Sequence, residues 1–459
     1  MSVKNRSNKS SPAPKAASLK APIVDVAAAP AKTRTIKVDY LPRVEGEGGI
    51  HIKMKGDQVH DVRVKIFEPP RLFEAFLEGR HYNEVPDITA RICGICPIAY
   101  QMSSVHAIER AFGVEIDPAV RLLRRLIYCG EWIESHVLHV FMLHAPDFLG
   151  AQDVIELAAR HEDLVKRALE LKKIGNDIVT LLGGREIHPI SVRVGGFSRV
   201  PRKQELQTLV NKLGWARDTA IDLAKFTATL PFPDFEPDYE FVALSHPEEY
   251  PFSEGRVVSS KGVDIDVCDF EEHFREHHVA HSNALQCSHV GHGSYHVGPL
   301  ARFALNFGKL SPMAMQAARD CGLVAPCRNP FKSIVVRMIE TVFACEEALR
   351  IIDVYEQPET PCAPVKARNA AGWAVTEAPR GILYHRYQFG SDGLVQAARI
   401  VPPTAQNQSR MEEDLKDLIP RMASLPDEEL TLRCEQAVRN YDPCISCATH
   451  FLRATIERT

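Results

Sequence analysis

The sequence predicts an α+β fold, mainly α, with a central bundle of long helices and small peripheral β-sheets. Two observations carry this. From about residue 97 onward, long stretches place apolar residues at helical spacing between Pro and Gly boundaries, while strand-like runs are short and confined to 35–66 and to a lobe at about 235–270. A chain of 459 residues, 45% hydrophobic and 25% charged, is also long enough to bury one large core.

In chain order, residues 1–33 are rich in Ala, Pro, Lys and Ser, with Asp25 their only acidic residue. They cannot bury enough apolar surface to order themselves, so a disordered basic tail is expected. Segments 35–40, 49–55 and 59–66 read as strands, with Gly56-Asp57 in a turn. Pro97 suits the first turn of a helix that Gly113 closes. Asp117-Pro118 opens a longer helix with Leu123, Ile127 and Val137 on its apolar face, ending near Pro146; another runs from about Asp153 to Gly183-Gly184. A further helix covers about 203–229. Val242, Val257, Val258, Ile265 and Val267 then form the short runs of the strand lobe over 239–268. Helices return at about 312–323, 330–355, 410–422 and 427–440.

Composition excludes some functions. The formal net charge of −4 gives no overall basic field for nucleic acid. No window holds the roughly 18 uncharged apolar residues of a membrane span. The N-terminus lacks the apolar core of a secretory signal, so the twelve cysteines read as reduced thiols or metal ligands.

Two cysteine pairs carry the chemistry: Cys93-Gly94-Ile95-Cys96 at a helix start and Cys444-Ile445-Ser446-Cys447. Cysteines three apart at a loop–helix junction can aim both sulfurs at one point, and the helix N-terminus favours the thiolate. Four thiolates form a soft site suited to zinc, iron–sulfur, or nickel with iron. A structural zinc site is the plain alternative. Zinc ribbons, however, set their pairs about 15–20 residues apart, whereas these are separated by most of the chain, which favours a buried centre.

The flanking residues sharpen the reading. Arg91-Ile92-Cys93-Gly94-Ile95-Cys96-Pro97 and Asp442-Pro443-Cys444-Ile445-Ser446-Cys447-Ala448-Thr449-His450 closely resemble the two signatures of nickel–iron hydrogenase large subunits. The resemblance continues through Arg43-Val44-Glu45-Gly46, Gly184-Arg185-Glu186-Ile187-His188-Pro189, Val297-Gly298-Pro299-Leu300-Ala301-Arg302 and Glu377-Ala378-Pro379-Arg380-Gly381. It implies reversible oxidation of H2 at a nickel–iron centre whose iron carries carbon monoxide and cyanide. All four cysteines would bind nickel, with Cys96 and Cys447 bridging to iron. Glu45 would relay protons from Cys444. Arg380 would sit over the open metal position, oriented by Asp442, and Pro379 and Thr404 would line the cyanide side. Glu74 and His450 would hold a nearby magnesium ion. A solvated turn glutamate is the plain reading of Glu45, a structural ion pair that of Arg380–Asp442, and a surface helix residue that of Glu74.

The resemblance also implies partners: an iron–sulfur small subunit, since the chain has no second cysteine cluster, NAD(P)-reducing diaphorase subunits, and nickel-insertion and maturation-protease proteins. Such a protease would remove residues 451–459, leaving a folded part of 34–450. Two departures from the family pattern stand out: Tyr100 where a histidine is common, and Ser135 where membrane-bound relatives carry an aspartate. Ser135 and the wording of 134–150 look like the cytoplasmic, bidirectional, pyridine-nucleotide-linked branch. The rivals are a respiratory-complex relative, expected to lack the four cysteines, and a zinc-stabilised interaction protein.

Elsewhere, His136 and His139 read as satisfied core histidines, and the run from His277 through His278, His281, His289 and His292 to His296 reads as a partly solvated loop. Cys129, Cys268, Cys287, Cys321, Cys327, Cys345, Cys362 and Cys434 lack paired spacing and read as buried small hydrophobes.

Overall fold

The computed structural model describes residues 33–449. Most of the expected tail over 1–33, the 451–459 extension and His450 lie outside the described residues; Thr33 already belongs to the first strand.

Strands β1 (Thr33–Val38), β2 (Gly48–Lys55) and β3 (Gln58–Ile66) form an antiparallel meander. Alternation along β2 sends Ile50, Ile52 and Met54 inward, where they pack against Met411, Leu415 and Leu418. Helix α1 (Pro97–Phe112) begins at Cys96 and ends at left-handed Gly113, as the Pro and Gly boundaries predict. Helix α2 (Pro118–Val137) is capped by the Asp117 side chain, which accepts from Ala119 N.

The helix expected to reach Pro146 does so in three pieces. After α2 the backbone widens into a π-helical turn over Leu138–His144, and Ala145–Leu149 is α-helical again. The expected 153–184 helix breaks at His161 into Val154–Arg160 and α3 (Glu162–Gly183), and 203–229 breaks into Lys203–Gln207 and α4 (Val210–Ala228).

The bundle is α2 packed between α3 and α5 (Ser333–Val354), with α4 covering α5. Helices α2 and α3 cross at glycines: a side chain on Gly175 would lie 2.7 Å from Gly130 O, and one on Gly130 would lie 2.9 Å from Gly175 O. The four paired cysteines belong to the same continuous core as this bundle.

The strand lobe is a four-stranded sheet of Phe241–Ser245, Arg256–Ser259 and Asp264–Ile265, with His296–Val297 added in parallel to the first. Sequence patterning missed an antiparallel meander of β4 (Ala370–Ala378), β5 (Gly381–Phe389) and β6 (Val395–Val401). Buried on both faces, β5 has no clean alternation for sequence to reveal. Helix α1 packs on this sheet. Helix α6 (Pro403–Leu418) starts seven residues earlier than the 410–422 expectation, because its polar residues Gln406, Asn407 and Gln408 are buried in hydrogen bonds that hide its inward face from hydropathy.

Candidate metal centre

The two cysteine pairs meet. Cys93, Cys96, Cys444 and Cys447 are all buried, and their sulfurs lie within 4.8 Å of one another. Cys93 Sγ is 3.5 Å from Cys444 Sγ, which is 2.7 Å from Cys447 Sγ. Metal–sulfur bonds of about 2.3 Å put sulfurs about 3.8 Å apart around one tetrahedral ion, which the Cys93–Cys444 separation approaches and the 2.7 Å Cys444–Cys447 pair falls short of.

Local structure explains the convergence. Cys96 directly precedes α1, and the loop ahead of it turns back on itself: Ile95 N and Cys96 N donate to Cys93 Sγ at 3.3 and 3.2 Å. Burial opposes ionisation of Cys93, yet thiol hydrogen bonds from Cys444, Cys447 and Cys96, with the Arg380 charge, hold its pKa well below the ordinary value. Burial and the neighbouring sulfurs push Cys444 well above it. Glu131, on α2, accepts from Ile98 N at 2.6 Å and Ala99 N at 3.1 Å and fixes the start of α1 from outside. Sequence offered no signal for this partner, which is remote in the chain.

Around the second pair, Cys444 N donates to Thr404 Oγ1 at 3.0 Å and Ile445 N donates to Glu45 O at 2.9 Å. Glu45 is half-buried, and its Oε2 accepts from Cys444 Sγ at 3.0 Å and from Ser446 N at 3.1 Å. The approach needs Gly46, at φ +88°: a side chain there would lie 2.7 Å from Ile445 Cβ.

Arg380 Nε donates to Asp442 O at 2.8 Å and its Nη2 to Asp442 Oδ1 at 3.2 Å. Burial opposes the charge, but Asp442 and the thiols keep the guanidinium protonated, its pKa raised. Its third nitrogen, Nη1, is buried without a hydrogen-bond partner among the described residues. A desolvated donor held beside four sulfurs fits an acceptor such as a cyanide nitrogen on a metal, so the donor set suits the implied group. Asp442 takes the left-handed conformation, φ 52°, which Asp tolerates better than most residues.

Behind Arg380 lies a buried ion network. Trp132 Nε1 donates to Glu377 O, Arg302 Nη1 to Ala378 O and Arg302 Nη2 to Pro379 O, at 3.1, 2.9 and 3.0 Å, so three successive carbonyls before Arg380 are held. Arg302 is itself forked onto Glu340 by two 2.7 Å bonds and bound to Glu377 at 3.0 Å. A second arginine, Arg337, stands 3.5 Å from Asp442 Oδ2. Arg302 lay inside a recognised motif without a role attached; Arg337 carried no signal.

Pro379 is buried directly before Arg380, and Thr404 is buried against the Cys444 amide. Tyr100 is buried against His385, and burial together with the charges of Cys447 and Cys96 pushes its phenol well above its usual range. Glu74 is half-buried and accepts from Ile400 N at 2.8 Å. His139 Nε2 meets Arg439 O at 2.8 Å and His136 Nε2 lies 2.9 Å from Glu340, so both are core histidines, but His139 Nδ1 is buried without a hydrogen-bond partner among the described residues.

Two expectations need correction. Of the histidine run, only His277, His278 and His292 are exposed; His289 is buried on Glu240 at 3.0 Å and His296 is buried against Tyr239, because strands pair there instead of a loop. Of the unpaired cysteines, Cys268 is exposed and Cys321 and Cys362 are partly so.

The fold and the four-sulfur centre define a metal-dependent oxidoreductase subunit, and comparison with known proteins says which. The chain belongs to the nickel-dependent hydrogenase family, whose sequence pattern it matches over residues 71–166 and 293–450. It is 34% identical to sulfhydrogenase 2 subunit alpha of Pyrococcus furiosus, over 91% of this chain and 99% of that one. It is 27% identical to the NAD-reducing hydrogenase HoxS subunit beta of Cupriavidus necator, over 92% and 95%. It superposes on an NAD+-reducing NiFe-hydrogenase in the H2-reduced state with a TM-score of 0.82 at 27% identity, covering 92% of this chain and all of that one. The Ni-Fe-Se hydrogenase of Desulfovibrio vulgaris Hildenborough shares the fold, with a TM-score of 0.77. The chain is thus a catalytic large subunit of a nickel–iron hydrogenase. No helix among the described residues is long and apolar enough to cross a membrane.

Proposed function

We propose that this subunit carries out reversible heterolytic oxidation of H2, with electrons passing to an iron–sulfur partner subunit and on to NAD(P). The observation that carries the reading is a carboxylate, Glu45, at 3.0 Å from one sulfur of a buried four-sulfur cage that also has a buried arginine beside it. When bound, a nickel–iron pair carrying carbon monoxide and cyanide supplies the place where the H–H bond is split. Cys93, Cys96, Cys444 and Cys447 would hold it.

The chain's own residues handle the proton. Cys444 Sγ receives it and passes it to Glu45 Oε2, already within hydrogen-bond reach. Arg380, fixed by Asp442, offers Nη1 to the iron-side ligands, and Pro379 and the Thr404 hydroxyl line that side. Glu74 and His450 would hold a magnesium ion, which suits a carboxylate and retains water.

Electrons leave through the partner, because the only all-cysteine group among the described residues is the cage itself. A cleft of about 180 Å³ lined by Gly94, Ile95, Lys172 and Ile187 opens beside Cys93 and suits the approach of that partner's nearest cluster. NAD(P) as acceptor is supported by likeness to the NAD-reducing relatives, and we propose diaphorase partners and a cytoplasmic location with it. H2-dependent reduction of NAD(P)+ by the purified complex tests the acceptor.

We place the folded unit at 34–450, with 451–459 removed by a maturation protease after nickel insertion. Intact mass of active protein ending at His450 is the expected result, and active enzyme retaining Thr459 rules cleavage out. The central test is metal analysis with infrared spectroscopy: nickel, iron and bands of iron-bound carbon monoxide and cyanide are expected, whereas zinc alone rejects the function.

A further inference from the structure

Ser446 sits between the two cysteines of the second pair, and each of its polar groups is gripped by a different residue from far earlier in the chain. Its amide donates to Glu45 Oε2 at 3.1 Å, its hydroxyl to Glu68 Oε2 at 2.9 Å, and its carbonyl accepts from Arg71 Nη2. The same Arg71 Nη2 donates at 2.6 Å to the carbonyl of Ile92, the residue before Cys93. One guanidinium nitrogen therefore bonds the backbone of both cysteine loops. Arg71 is anchored in turn: its own amide donates to Thr449 O at 2.6 Å, its Nε lies 3.9 Å from Glu68 Oε1, and its charge stands 5.3 Å from the Phe73 ring.

We infer that Arg71, supported by Glu68, is a positioning residue that latches the Cys444–Cys447 loop onto the Cys93–Cys96 loop and so preassembles the cage. The need is entropic. Two loops 351 residues apart in sequence lose conformational freedom when they are brought together, so they require a restraint that does not come from the metal. Carbonyl oxygens are the available handles, and the two N–H groups of one guanidinium nitrogen, fixed in a plane, can serve both loops where an ammonium on a flexible stem is less fixed in direction. Arg71 bonds no cage sulfur, so its effect acts through the loops.

That the sulfurs are a metal cage rests on the proposed function; the latch is tested without metal. The full chain is stripped of metal and treated with diamide, and peptide mapping gives the ratio of Cys93–Cys444 to Cys444–Cys447 disulfide. The first bond needs both loops together; the second forms within one loop. Loss of a charge-assisted hydrogen-bond clip predicts that Arg71→Met lowers the ratio roughly tenfold, with Arg71→Lys between the variant and wild type. If Arg71→Met does not fold, Arg71→Gln, which keeps one amide donor, is expected to show a similar but smaller fall. An unchanged ratio overturns the latch. So does an equal fall in Leu123→Ala, a core variant away from the loops matched for lost thermal stability. Nickel content of the untreated wild type reads the cage separately, so its failure leaves the latch result standing.

Discussion

The thiol of Cys444 donates to Glu45 Oε2 at 3.0 Å, although 399 residues of sequence separate the two. The contact is held from the backbone as well, through Ile445 N to Glu45 O, so carboxylate and sulfur are positioned as one unit. Glu45→Gln keeps that geometry and removes the proton-accepting function. Turnover in H2-dependent dye reduction is expected to fall by about 10²- to 10⁴-fold with nickel and iron still bound. Unaltered turnover removes Glu45 from the relay.

Arg380 spends two nitrogens on Asp442 and keeps a third free of protein partners among the described residues. Lysine has the charge without the fork. Arg380→Lys is therefore expected to lower kcat by roughly 10²-fold at full metal content, leaving the melting temperature within a few degrees. Steady-state kinetics beside a metal assay and a thermal scan check it.

Replacing Cys96 by serine swaps a soft thiolate for a hard hydroxyl inside a buried site. Nickel and iron per chain are expected to fall by about an order of magnitude, read by plasma mass spectrometry.

Acid should unlock the network behind Arg380. Glu340 is pulled down to about 2, against its burial, by the Arg302 charge, while burial takes His136 down to about 4. Both folded pKa values lie below their unfolded ones. Each contribution is therefore full above the unfolded value and lost as pH drops through the folded value: from 6.5 to about 4 for His136, and from 4.5 to about 2 for Glu340. Denaturant titrations should show stability declining from pH 6.5 downward. Glu340→Gln should be less stable than wild type at pH 7 and have a flatter profile below pH 4.5. Parallel profiles for the two proteins contradict the assignment.

The sequence was most readable where chemistry and punctuation are local. Pro97 and Gly113 bound their helix within a residue, and the CxxC spacing pointed to the four sulfurs that the fold brings together. Elements with inward faces made of polar groups escaped: the first two turns of α6 bury Gln406 and Asn407, and β5 is buried on both faces. At the centre, the sulfurs, Glu45 and Arg380 were found from their motifs, while Arg71, Glu131 and Arg337 were not. These act through backbone carbonyls, amides and a distant carboxylate, and such partners follow from three-dimensional proximity alone.

The glycine crossing of α2 and α3 has a bearing well beyond packing. Gly130 is the immediate neighbour of Glu131, whose carboxyl sets where α1, and therefore Cys96, begins. The seam thus works as a reference plane from which the ligand loop is measured. Even one methyl inserted between the two helices would propagate as a displacement of the cap, so residues that never approach a sulfur can govern how faithfully the thiols converge.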